Sequence, residues 1–284
     1  MNNFWPIIDN WESYFSDFHE GLGTTYERLL LHRIFEKIKN NFSIKSVLEA
    51  PSFGMTGISG INSAWWYYEK NIVPVVLDDN AKRVELIKKF LSNVRLNLEL
   101  QYNSDWANLP YQSNSFDLVW NFASLWFVPK PVELIKELMR VNSNILLISL
   151  PNRKNIGYQL RKLVFNNHYK MFANNPLISF NEVCGLLRQN NYKIIETGYF
   201  DCPPWPDFPI QKEKLLPFIF RKNKNNNQKM NDQERVFFLD FWELNNEKIN
   251  DIVEKYNILE KNIPVLREIW SHHQYVIGKK DVNN

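Results

Sequence analysis

The segment Val47-Leu-Glu-Ala-Pro-Ser-Phe-Gly-Met-Thr-Gly57 holds the first chemistry legible in this chain. A short apolar run ends on Glu49 and enters a turn carrying Gly54 and Gly57. Glycine lets a backbone adopt φ > 0 and come close to a ligand. A carboxylate at a strand tip can accept hydrogen bonds from a nucleoside-type ligand lying over such a turn. Further acids stand at similar places. Asp78 and Asp79 close the run Val73-Pro-Val-Val-Leu77, and Asp105 follows Leu98-Glu-Leu-Gln-Tyr102. Towards the C-terminus, Asp201 and the consecutive His272 and His273 offer a carboxylate and an imidazole, the types that move protons. His168 is a further candidate. Each of these four also suits a turn cap or a solvated surface.

Hydrophobic spacing supplies the elements that position these groups. Residues 25–40 read as an amphipathic helix with Leu30, Ile34 and Ile38 on one stripe. Strands are expected at 45–50, 73–77, 98–102, 116–120, 144–150 and 192–199, with a last short apolar run at 274–278. Helices are expected between them. One spans 58–70, with Trp65, Trp66 and Tyr67 against the sheet. A second is capped by Asn80 and carries Val84, Ile87, Leu91 and Val94. A third has Pro131 at its first turn and buries Leu134, Leu138 and Val141. A fourth opens on the capping box Ser179-Phe-Asn-Glu182. Such alternation implies right-handed crossovers and a mostly parallel sheet. Between 201 and 268 the composition changes. A Pro- and aromatic-rich stretch with Trp205, Phe208, Phe218 and Phe220 precedes the basic, Asn-rich run Arg221 to Lys229, then helices from Asn231 and around Ile249 to Tyr256. This segment reads as an insertion covering the site.

Composition narrows the class. The chain has 284 residues, 44% hydrophobic and 23% charged, enough for one α/β domain with an elaboration. A net charge of +3 gives no argument for nucleic acid. Two cysteines, Cys184 and Cys202, make neither a disulfide framework nor a cysteine zinc site, and no metal set is expected. No signal peptide and no run approaching the ~20 apolar residues of a membrane span is read, so a cytoplasmic protein is expected. Arg221, Lys222 and Lys224 beside the aromatics are also compatible with peripheral contact to a membrane surface.

Taken together, Glu49 with its glycine turn, Asp78, Asp105-Trp-Ala-Asn-Leu-Pro-Tyr111, Ser115-Phe-Asp-Leu-Val119 and Glu137-Leu-Met-Arg140-Val141 resemble a class I S-adenosylmethionine-dependent methyltransferase. The likeness is to the small-molecule kind with a ubiquinone/menaquinone-methylase-like core, and it covers residues 45–150 best. It implies a Rossmann-like three-layer α/β sandwich. The seven-stranded sheet would be mostly parallel, its last strand antiparallel between strands five and six, with a helical insertion before that strand. It divides the chain into lead-in helices at 1–44, a core at 45–200 and 269–284, and a lid or substrate insertion at 201–268.

The resemblance also implies roles. S-adenosyl-L-methionine would lie over Glu49, Ala50, Pro51, Gly54 and Gly57, with Asp78 and the adjacent Asp79 at the ribose. Asp105 and Trp106 would lie at the adenine, and Asn121 beside the methyl or only fixing its turn. Tyr26 would lie near the methionine carboxylate with Arg28 as an anion partner, or the helix start there is simply capped by Thr24 or Thr25. An antiparallel last strand would bring His272 and His273 to the same edge as Asp201. The implied substrate is a small, apolar or aromatic acceptor. One departure stands out: Pro51 replaces the first glycine of the usual motif and has no N–H to offer. This motivates the alternative of a degenerate domain that binds a nucleoside or a partner without catalysis.

Overall fold

Strand β4 (Phe116–Phe122) and strand β5 (Asn142–Pro151) each carry a long run of buried residues, and both lie in the interior of the sheet. The computed structural model describes residues 21–52, 58–93, 96–164, 177–204, 254–257, 259–260 and 264–281. The other strands are β1 (Val47–Glu49), β2 (Val75–Asp78), β3 (Glu99–Tyr102), β6 (Tyr192–Phe200) and β7 (His273–Lys280). They form one sheet in the order β3-β2-β1-β4-β5-β7-β6. The first five strands pair in parallel, and β7 runs antiparallel between β5 and β6, as expected from the sequence.

Side-chain alternation along the strands buries apolar residues on both faces. Val119, Leu146 and Ile148 pack on one face with Leu134, Leu138 and Val183. Leu118, Trp120, Ile145 and Leu147 pack on the other with Phe35, Ile38 and Trp66. Helix α1 (Gly21–Asn41) covers this second face. Helices α4 (Pro131–Val141) and α6 (Phe180–Gln189) cover the first.

The predicted caps form. Asn80 Oδ1 accepts the Arg83 amide at 3.0 Å and starts helix α3 (Ala81–Asn93). Ser179 and Glu182 close both arms of the capping box. Helix α2 is shorter than expected, Ala64–Lys70, because residues 58–63 turn around Gly60 at φ +83°. A Cβ at Gly60 would lie 3.1–3.2 Å from Leu98 and Val76 side chains. Tyr67 is half-buried rather than packed on the sheet with Trp65 and Trp66.

Helices α5 (Ile156–Val164) and α7 (Pro264–Trp270) are additions to the sequence reading. Asn155 starts α5 by accepting the Tyr158 amide at 2.9 Å, a cap signal that the short flanking pattern concealed. Most of 201–268, with Trp205, Phe208, Phe218, Phe220, the basic run and the Asn231 helix, lies outside the described residues, as does Val94. Among the described residues no helix is long and apolar enough to cross a membrane.

Candidate active site at the carboxyl edge of the sheet

Parallel strands present ligands at their carboxyl ends, and the candidate residues gather there in two groups. The first surrounds the tips of β1, β2 and β4. Glu49 ends β1 and is 4% exposed. It accepts a hydrogen bond from Ser63 Oγ at 2.6 Å, and Ser63 accepts one from the Trp120 indole at 3.1 Å. Burial pushes the Glu49 carboxyl up to about 7, against the opposing pull of its serine hydrogen bonds.

Asp78 is fully buried and its two oxygens are taken. Arg83 binds both at 2.7 Å, Ser59 Oγ donates to Oδ2 at 2.5 Å and the Asn80 amide to Oδ1 at 2.9 Å. Asp79, one residue on, has a side chain 41% exposed. Burial and the Asp78 charge push its carboxyl up, while Arg83 and a hydrogen bond from Trp106 oppose them.

The Asp105 carboxylate accepts the Ala107 amide at 3.0 Å and is otherwise exposed, whereas Trp106 is 7% exposed. The segment that follows is latched from α4. Glu137 accepts the Leu109 amide at 2.8 Å, and Arg140 donates to the Tyr111 and Leu109 carbonyls at 2.7 and 3.0 Å. The Leu-Pro-Tyr and Glu-x-x-Arg patterns are thus two halves of one joint that sets Trp106.

The turn after β1 continues the sheet before leaving it: the Ser52 amide donates to the Leu77 carbonyl at 2.8 Å. The carbonyls of Ala50, Pro51 and Ser52 accept from Asn121 Nδ2, Ser124 Oγ and Ser59 Oγ at 3.2, 3.1 and 3.1 Å. Asn121 therefore holds this turn. Its Oδ1 is buried and has no hydrogen-bond partner among the described residues. Gly54 and Gly57 lie outside the described residues. Helix α1 is fastened to the far side of the turn through Arg28, fully buried, whose Nε donates to Asn62 Oδ1 at 2.8 Å, and through His32 at 3.2 Å from the Asn62 carbonyl. Tyr26, also fully buried, meets Tyr256 edge-on at 6.5 Å. Burial raises its hydroxyl pKa well above the ordinary value.

The second group sits where β6 ends and β7 begins. His272 Nδ1 is 2.7 Å from Asp201 Oδ2, and His273 Nε2 is 2.7 Å from Glu27 Oε2 on α1. The His273 ring lies 4.7 Å from Phe122, at the tip of β4, and stacks on Phe200 at 5.3 Å. Its Nδ1 has no hydrogen-bond partner among the described residues. Glu260 accepts the Cys202 amide at 2.5 Å, and burial raises its carboxyl to about 7.

Asn152 and Asn155 hold the chain that carries the histidines. Asn152 Nδ2 donates to the Glu268 and Ser271 carbonyls at 2.8 and 2.9 Å, and its Oδ1 accepts from Gln274 at 2.7 Å. Asn155 Nδ2 donates to the Trp270 carbonyl at 2.6 Å.

Residues 56–144 match a family model described as a methyltransferase domain. Over that segment the chain is similar to methyltransferase domains. Solved structures agree on the fold. A candidate methyltransferase of Haloferax volcanii, in complex with the Trm112 methyltransferase activator, is 12% identical with a TM-score of 0.53, over 98% of this chain and 95% of that one. A candidate sarcosine dimethylglycine methyltransferase from Galdieria sulphuraria is 11% identical with a TM-score of 0.51, over 88% and 86%. No curated protein matches the chain.

The fold brings Asp79 and Trp106 together, and Ala50, Pro51 and Asn121. Asp201 pairs with His272, while His273 pairs with Glu27, which the sequence reading did not single out. His168 lies outside the described residues. Glu27, Asn152 and Glu260 were missed because nothing near them in sequence marks them: Glu27 and His273 are 246 positions apart.

Proposed function

We propose that this methyltransferase moves the methyl group of S-adenosylmethionine to a small acceptor of apolar or aromatic character. When bound, the sulfonium supplies an already activated leaving group. The protein's task is then mainly to position and desolvate, worth up to roughly 7–11 kcal/mol in favourable cases. The observation that supports this best is the pairing of an open carboxylate, Asp79, with the buried indole of Trp106 at the tip of β2.

In this reading the ribose hydroxyls meet Asp79, and Asp78 supports it from below, held by Arg83. The adenine lies on Trp106 with Asp105 at its rim. Ala50, Pro51, Gly54 and Gly57 carry the turn beneath the cofactor, behind which Glu49 is buried. Asn121, whose Oδ1 has no partner among the described residues, and Tyr26 lie towards the methionine end. Phe122 and Phe200 give the acceptor an apolar wall. Asp201 with His272, His273, or His168 takes a proton where the acceptor must lose one.

The test is calorimetric titration with S-adenosylmethionine and S-adenosylhomocysteine, with NAD as control. Micromolar binding of the first two and none of NAD is expected. Asp79→Asn is expected to weaken binding by about 1.5–3 kcal/mol, the range for a hydrogen bond to a charged group. Undiminished affinity in that variant would return the ribose to Asp78.

A second reading, a domain that binds without catalysis, draws on the saturation of Asp78 and of the Ala50, Pro51 and Ser52 carbonyls by protein groups. Absence of binding to both sulfur compounds would favour it.

A further inference from the structure

We propose that Glu27, Asp201 and His273 form a binding site for one divalent transition-metal ion. One ligand atom from each residue lies within 4.8 Å of the other two. The His273 Nε2 to Glu27 Oε2 separation, 2.7 Å, is close to the roughly 3 Å that separates neighbouring donors on an ion bound at about 2.0–2.2 Å. A turn of the carboxylates about their terminal torsions, which are soft, supplies the remaining closure.

The three donors come from three separately anchored elements. Glu27 stands on α1, Asp201 follows β6 and His273 opens β7, where it pairs with Pro151 and Phe200 on either side. Asp201 is oriented from behind by His272 at 2.7 Å, the kind of outer partner that fixes a ligand carboxylate. Phe122 and Phe200 enclose the imidazole in an apolar shell. Glu260, bound to the amide next to Asp201, adds a third carboxylate, itself buried, to the neighbourhood. Two carboxylates and one imidazole favour Zn²⁺, Mn²⁺ or Fe²⁺ over Mg²⁺ and Ca²⁺, which take oxygen donors. With three protein donors, such a site keeps a position open beside the tip of β4. The inference does not depend on methyl transfer.

The experiment uses the full chain stripped with a chelator and titrated by calorimetry with Zn²⁺, Mn²⁺ and Mg²⁺, with S-adenosylhomocysteine titrated separately so that each reading fails on its own. One equivalent of Zn²⁺ or Mn²⁺ is expected in the micromolar range, with Mg²⁺ much weaker. Glu27→Gln and Asp201→Asn are each expected to weaken metal binding by about tenfold or more.

Co²⁺ bound to the unaltered protein provides a measurement that needs no variant. Visible d–d bands without a thiolate charge-transfer band are expected, since no cysteine is among the donors. No binding of Zn²⁺ or Mn²⁺, binding that survives both substitutions, or a thiolate band would each overturn the proposal. The first of these would leave the cluster as a proton-transfer pair.

Discussion

The two ends of the carboxyl edge hold their buried carboxylates in different ways. At the β1–β2 end Asp78 is bound on both oxygens by Arg83, five residues further along the chain. At the β6–β7 end Asp201 and Glu27 face imidazoles, and the Glu27 partner is 246 positions away. A guanidinium keeps its charge at any working pH, so the first pairing is a fixed structural element. An imidazole has ring nitrogens that can donate, accept or bind a metal. The second end is therefore where chemistry can respond to a ligand.

Breaking the fixed end is expected to have the largest effect. Asp78→Ala leaves Arg83, whose side chain is 5% exposed, buried without its main partner. Loss of one member of a buried pair costs about 3–5 kcal/mol, measurable by urea unfolding. A cost below about 1 kcal/mol, the level of an exposed pair, would mean that Arg83 turns to Asp79 and that the contrast between the two ends is overdrawn.

The responsive end is expected to break through its clamp. Asn152→Ala removes side-chain bonds to Glu268, Ser271, Gln274 and the Lys154 amide. At about 1 kcal/mol for each of these bonds, a loss of about 4 kcal/mol is expected in the same unfolding assay. A negligible loss would show that strand pairing alone places the histidines.

This contrast also explains what could be read from the sequence. The fold was legible because its signals are local: the apolar run of β5, the caps at Asn80 and Ser179, and the Pro131 helix start. At the β1–β2 end the acids stood out because Glu49 and Asp78 terminate strands and Asp105 follows one. What could not be read there was occupancy. Asp78 and Asp79 look equivalent in sequence, and only the placement of Arg83 and Ser59 shows which carboxylate is open. At the other end Asp201 and the histidines were noticed by type, but their pairing depends on β7 inserting between β5 and β6 and on α1 arriving from the opposite end of the chain. Asn152 ends a strand and gives no sign of the four bonds it makes.

A smaller effect tests the electrostatics of the fixed end. The Glu49 carboxyl stands at about 7 in the folded protein, raised by burial, and returns to about 4.3 on unfolding. Below the unfolded value both states are protonated and the group costs nothing. As pH rises towards 7 the unfolded chain loses the proton first, so stability falls, by up to about 4 kcal/mol once both forms are ionised. Glu49→Gln removes that cost. The variant is expected to gain on the unaltered protein between pH 5 and pH 8 in urea unfolding. A constant difference across that range would mean that Glu49 is ionised throughout.

The smallest effect is expected where a turn is held by redundant bonds. Ser124 Oγ donates to the Pro51 carbonyl at 3.1 Å and takes a hydrogen bond from Asn121, which keeps a second acceptor in the Ala50 carbonyl at 3.2 Å. Ser124→Ala therefore costs about 1 kcal/mol, the net value of one such bond, because the Ser52 amide still pairs with Leu77 and keeps the turn in the sheet. If the turn carries the cofactor, S-adenosylhomocysteine affinity falls by a comparable amount while zinc titration at the β6–β7 end is unchanged. Equal losses at both ends would mean that the two groups share one mechanical unit.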